Sequence, residues 1–257
     1  MGMRFIQSRT KRFEFAFTLI ELLTVIAIIA ILAAMLLPVL AAAKNAAKKA
    51  RARIEIASLV TAIEGYDSDY GRFPVSSATQ AAAGTDDFTF GGIYKIPGGG
   101  TWPNPIPSNY QTNNSEVIAI LMDITNYPSG GWTANTNHVK NPQQTKYLNA
   151  TMVSDPTLPG VGPDLVYRDP WGNPYIITLD LNYDELCKDA FYSLDKVSGH
   201  NQTAMNPGLN GLTTDGTPNN FKYHGKVMVW SAGSDGKLDP SDPATDWENR
   251  NNVLSWK

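Results

Sequence analysis

Phe17-Thr-Leu-Ile-Glu21-Leu-Leu-Thr-Val-Ile-Ala-Ile-Ile-Ala-Ile-Leu-Ala-Ala-Met-Leu-Leu-Pro38-Val-Leu-Ala-Ala-Ala43 is the stretch on which the reading of this chain turns. Residues 22–43 carry no charge. As a helix rising about 1.5 Å per residue they span roughly 33 Å, close to the ~30 Å hydrocarbon core of a bilayer. Two residues do not suit a plain anchor. Glu21 lies at the start of the apolar segment, where an ionised carboxylate costs free energy unless it finds a partner. Pro38 lies inside the predicted helix, where it removes a backbone donor. No basic residue shares a helical face with Glu21 in the apolar run. The nearest positive group it can meet is a new α-amino terminus made by cutting the chain before Phe17.

Residues 17–23, Phe-Thr-Leu-Ile-Glu-Leu-Leu, with the basic residues ahead of them and Pro38 behind, resemble the cleavage and methylation signature of type IV pilins and type II secretion pseudopilins. The resemblance implies a peptidase cut between Ala16 and Phe17 and methylation of the new Phe17 amine. It also implies that Glu21 neutralises the amine of a neighbouring subunit during filament assembly, and that Pro38 interrupts the helix. The residue before the cut is usually Gly in that family; here it is Ala16, which is also small.

Working outward, residues 1–16 read as a cytoplasmic leader with Arg4, Arg9, Lys11 and Arg12 against Glu14. Lys44, Lys48, Lys49, Arg51 and Arg53 follow the apolar run, so basic residues flank it on both sides. Orientation, with the leader inside and the bulk outside, comes from the resemblance. The second basic run reads as a solvated collar near anionic lipid, and no nucleic-acid partner is expected. Beyond residue 43, Ile56, Leu59, Val60, Ile63, Tyr66 and Tyr70 recur at spacings of three and four, which predicts a one-sided helix ending at Gly71 and Pro74. From Phe17 to Tyr70 such a helix would run about 80 Å, with a bend at Pro38.

Residues 76–163 are rich in Gly, Pro, Asn, Ser and Thr and read as a largely irregular insertion. Within them, residues 115–123 are expected to form a short helix packed on the sheet with Ser115 as N-cap, a strand being the alternative, and His138 reads as a surface residue without metal-spaced partners. Residues 168–175, Arg-Asp-Pro-Trp-Gly-Asn-Pro-Tyr, read as a tight turn anchored by Trp171 and Tyr175. They resemble the D-P-W-G-N-P-Y motif of major pseudopilins. Strands are expected over residues 175–181 and 226–231, with a loop over 198–220 between them. The tail, residues 231–248, resembles the S-x-G-x-D-G loop that wraps calcium in that family. Asp235 matches the family position, and Asp239, Asp242 and Asp246 are the further candidate ligands. A hard cation wants six to eight oxygens, although the spacing is not that of an EF-hand, and a solvated acidic turn is the plain alternative.

Composition narrows the remaining classes. A net charge of −3 gives no nucleic-acid signature, and the single cysteine, Cys187, rules out an internal disulfide and reads as a buried small side chain. Metalloprotease, nucleophile-elbow, Walker and dinucleotide motifs are missing, and the histidines lie in separate loop-like contexts, so no enzyme is expected. The sequence reading is an α+β, pilin-like chain. Its parts are a leader (1–16), a transmembrane and filament-core helix (17–43), the amphipathic continuation with its closing turn (44–74), and an exported domain (75–257). The resemblance implies self-association into a helical filament, processing by a prepilin peptidase, and contact with an assembly platform and minor pseudopilins. It implies a single-pass protein of a bacterial inner membrane, with its C-terminal domain periplasmic, that moves into a pseudopilus. A surface pilin for adhesion, motility or DNA uptake, and a monomeric anchored binding protein, are the alternatives.

Overall fold

The computed structural model describes residues 18–200 and 207–257. One helix, α1, runs over Leu19–Tyr70. By contact density the chain divides into a unit ending at Asn45 and a compact unit, Ala46–Lys257. Pro38 does not end α1, contrary to the expected interruption. Proline forfeits its own donor, but the Leu- and Ala-rich residues on either side favour helix strongly enough to carry it through. Tyr70 is the last helical residue, and Gly71 follows at φ 61°. Its N–H reaches back to the Asp67 carbonyl at 2.7 Å, a left-handed C-terminal cap that suits glycine.

In the compact unit the buried face of α1 is Ala52, Ile56, Leu59, Ala62, Ile63 and Tyr66. This is the stripe expected from the spacing, with Val60 and Tyr70 at its partly buried margin. It packs on one face of a five-stranded sheet made of β1 (Phe88–Phe90), β2 (Tyr110–Gln111), β3 (Ile176–Leu179), β4 (Val227–Ser231) and β5 (Val253–Leu254). The spatial order is β5-β4-β3-β1-β2. The pairs are antiparallel except β1 with β2, which is parallel. Side chains alternate along the strands: Ile177, Leu179, Val227 and Val229 join the α1 core, while Ile176, Met228 and Trp230 join an aromatic cluster on the other face with Phe191 and Tyr192. Both faces of the central strands are therefore covered, which accounts for their continuous burial.

The residues expected to be irregular supply more than loops. They hold α2 (Ser77–Ala83), strands β1 and β2, and α3 (Ser115–Leu121). Strands of two or three residues are too short to show a period of two. The N-cap of α3 is Asn114, not Ser115. Asn113 Oδ1 instead accepts from the Ser115 N–H and hydroxyl. The Asn114 amide is used elsewhere: it donates to the Tyr167 and Tyr175 carbonyls and accepts from the Tyr167 N–H, tying α3 to the chain ahead of β3. Cys187 is free and fully buried, and burial pushes its thiol well up. His138 is not simply a surface residue. Its Nδ1 lies 2.7 Å from Asp123 Oδ1, which also accepts from Asn135 Nδ2.

Candidate functional site

Two regions carry the residues singled out in the sequence. The first is the start of α1. Ala16 and Phe17 lie outside the described residues. Thr18 is the residue just ahead of the helix. The Glu21 carboxylate accepts from the Thr18 N–H at 2.8 Å and from its hydroxyl at 2.7 Å, while the Glu21 N–H points to Thr18 Oγ1 at 3.3 Å. This is a reciprocal capping box. The Thr-x-x-Glu spacing was a signal for it that the sequence reading passed over. Within one chain, then, Glu21 has polar partners but no positive one among the described residues.

Over residues 22–43 the helix is apolar on every side, and none of the described residues covers it. Leu22, Leu23, Val25, Ile26, Ile28, Ile29, Ile31 and Leu32 are all exposed. By length and composition the helix is long and apolar enough to cross a membrane. Single exposed apolar residues are ordinary on soluble proteins, but a contiguous apolar surface of this extent requires lipid or other protein against it.

The second region joins the two motifs that the sequence places about 60 residues apart. Asp169 is fully buried at the head of the tight turn. Its Oδ1 accepts from the N–H groups of Trp171 and Asn173, and its Oδ2 accepts from the Ser231 hydroxyl at 2.6 Å. Burial raises the Asp169 carboxyl, and those hydrogen bonds oppose the shift. Asn173 Nδ2 donates to the Gly233 carbonyl, and Ser231 Oγ accepts from the Gly233 N–H. Gly233 and Gly236 have φ of 72° and 59°. A Cβ on Gly233 would collide with the Asn251 carbonyl, and one on Gly236 would stand 2.6 Å from Asn173 Oδ1. The tight turn and the tail loop are thus one interlocked piece. The turn is also fastened to α1, because the buried Tyr175 hydroxyl donates to Glu55 Oε2 at 2.6 Å, and Glu55 pairs with Arg51.

The tail aspartates are placed as follows. Asp235 accepts from Asn251 Nδ2 and the Lys237 N–H. Asp239 Oδ1 accepts from the Ser241 N–H, and Asp246 Oδ1 accepts from the Thr245 hydroxyl. The Asp242 carboxyl is raised, first by partial burial and then by the negative charges of Asp239, Asp246 and Glu248. Asn249, almost fully buried, occupies the middle of this turn: its Nδ2 donates to the Asp239 and Asp242 carbonyls at 2.7 and 2.8 Å. Those are carbonyl oxygens of the kind a calcium ion would take. Among the described residues no group of three or more His, Cys, Asp or Glu side chains stands ready to hold a metal ion. Asp239, Asp242 and Asp246 fall in one turn, two of whose carbonyls Asn249 pairs.

Residues 11–37 match a family model described as the prokaryotic N-terminal methylation motif. No curated protein and no solved structure matches the chain. The match supports a type IV pilin or pseudopilin type of N-terminus, consistent with peptidase processing, membrane anchoring and filament assembly. It covers the segment holding Ala16, Phe17 and Glu21 and does not reach the compact unit.

Proposed function

We propose that the chain is a structural subunit of a helical filament drawn from a membrane, specifically a major-pseudopilin-like component of a type II secretion apparatus. The observation that carries the reading is the coincidence of the methylation motif with a helix whose first half is apolar on all sides and exposed among the described residues. The same surface that dissolves in lipid buries against other copies once subunits add head to tail, and contacts that do not close on themselves build a helix of subunits. Secretion is favoured over a surface fibre by the likeness of the tight turn and the tail loop to those of major pseudopilins. The compact unit would lie on the periplasmic side, with an assembly platform and minor pseudopilins as partners. Chains that each carry cysteines at both Leu22 and Leu36 are expected to yield a ladder of crosslinked copies in native membranes when the secretion genes are expressed. A monomeric anchored protein would give no ladder.

Calcium in the tail is a second, separate proposal. It is supported by the mutual repulsion of Asp239, Asp242, Asp246 and Glu248, and opposed by the way Asn249 already pairs two of the loop carbonyls. Binding to the folded state alone stabilises by RT ln(1 + [L]/Kd), about 2.7 kcal/mol at a hundredfold excess over Kd. Residues 44–257 should then melt higher in calcium than in chelator, with Asp235→Ala erasing the difference. Equal melting temperatures would leave the loop held by Asn249 and Asn251 alone.

A further inference from the structure

Four basic side chains line one pocket of the compact unit, and no carboxylate among the described residues pairs with any of them. Lys49 and Arg53 are four residues apart on α1 and so share a helical face. Arg250 comes from the short 3-10 helix Trp247–Asn251 just before the edge strand β5, and Lys257 lies just beyond that strand. Together with Asn252, Val253 and Leu254 they line a pocket of about 270 Å³. None of the four takes part in an ion pair among the described residues. The contrast with the neighbouring Arg51 is direct, since its Nε lies 2.8 Å from Glu55. Folding brings Arg250 and Lys257 into one pocket with Lys49 and Arg53 across roughly 200 residues of sequence, so the cluster is built by the fold and not by a local basic run.

We propose that this pocket binds a phosphate group. A concave site lined by four cationic side chains concentrates the opposite ion. Guanidinium groups present paired N–H donors that fit phosphate oxygens, and ammonium groups add point charges. Phosphate reaches such a site either as an anionic lipid headgroup or as a free ion. The lipid source rests on the membrane reading given above; the site itself does not. Lys49 is six residues past the end of the apolar run at Ala43, and six residues of chain cannot span more than about 20 Å by any path. With the apolar run seated in a bilayer, Lys49 is tethered no farther than that from the end of the run.

The test is lysine labelling of the full chain in vesicles, with Lys95 as the reference amine. Vesicles of phosphatidylcholine alone, the same vesicles with inorganic phosphate, and vesicles containing phosphatidylglycerol are compared. Lys49 and Lys257 are expected to label about fivefold more slowly than their phosphatidylcholine baseline, relative to Lys95, in at least one of the last two. Slowing only with phosphatidylglycerol assigns the headgroup, and slowing with inorganic phosphate assigns the free ion. The double substitution Arg53→Gln, Arg250→Gln is expected to abolish the slowing at both lysines. The proposal is overturned if neither arm slows them, if Lys95 slows equally, or if the double variant behaves as the parent. It is also overturned if protection follows protein density whatever the lipid or phosphate, which would make the occupant another protein surface.

Discussion

Glu21→Leu subunits are expected to enter the membrane and to be processed, yet to build no filaments. Insertion should if anything improve, because an acidic side chain in a membrane helix costs roughly 2.5–3.5 kcal/mol at its centre and leucine costs nothing. The loss falls on assembly. If Glu21 neutralises the Phe17 amine of a neighbour, its removal leaves a positive charge buried among apolar helices, at about 3–5 kcal/mol for each subunit contact. The capping box supplies a rival explanation, since Glu21 also closes the first turn of its own helix through Thr18. Loss of a cap costs about 0.5–2 kcal/mol. Glu21→Gln separates the two: glutamine still serves at this position of a capping box but carries no charge. Both variants should be absent from the sheared or sedimented filament fraction while present in membranes. Assembly of Glu21→Gln at the parent level would reduce Glu21 to a helix cap.

Asp189→Ala is expected to lower the stability of the compact unit by about 3–5 kcal/mol, at about 1–3 kcal/mol for each buried donor left without an acceptor. Asp189 is 1% exposed and sits where β1, β3 and β4 meet the aromatic cluster. Its Oδ1 accepts from the N–H groups of Phe191 and Tyr192, at 2.9 and 2.8 Å. Its Oδ2 accepts from the Thr178 hydroxyl at 2.6 Å and from Trp230 Nε1 at 3.0 Å. Three of these four donors are N–H groups that can do nothing but donate, so an alanine strands them in a dry interior. For a unit of this size each kcal/mol moves the melting temperature by about 2–4 °C, so thermal unfolding of residues 44–257 should shift down by roughly 6–20 °C. Asp189→Asn retains one acceptor oxygen and should fall between parent and alanine. A change within 2 °C for Asp189→Ala would mean that solvent or another group takes over the stranded donors.

The parts of this fold that the sequence announces are those whose signals are local. Ile56, Leu59, Ile63 and Tyr66 show their buried face through spacing alone, and Gly71 marks the end of α1. The apolar run shows in composition. Strand β1 does not, because three residues flanked by glycine and aspartate carry no period. The Asn114 cap was missed because Asn113, Asn114 and Ser115 all suit that position, and only the distant carbonyls of Tyr167 and Tyr175 decide which is used. Both motifs of the compact unit were readable as turns. Their joining through Asp169 and Ser231 was not, since it depends on β3 and β4 lying side by side. Asp189 and the four-cation pocket are of the same kind: each is a meeting of residues far apart in the chain, visible only once the sheet has brought them together.

The central claim is that residues 1–16 are a leader and that the working subunit begins at Phe17. Intact-mass measurement of the protein from native membranes addresses it most directly. The account predicts a species running from Phe17 to Lys257 and heavier by one methyl group, with the methyl on the Phe17 amine in the N-terminal fragment. A membrane species that still begins at Met1, or one cut after the apolar run and released, would contradict it.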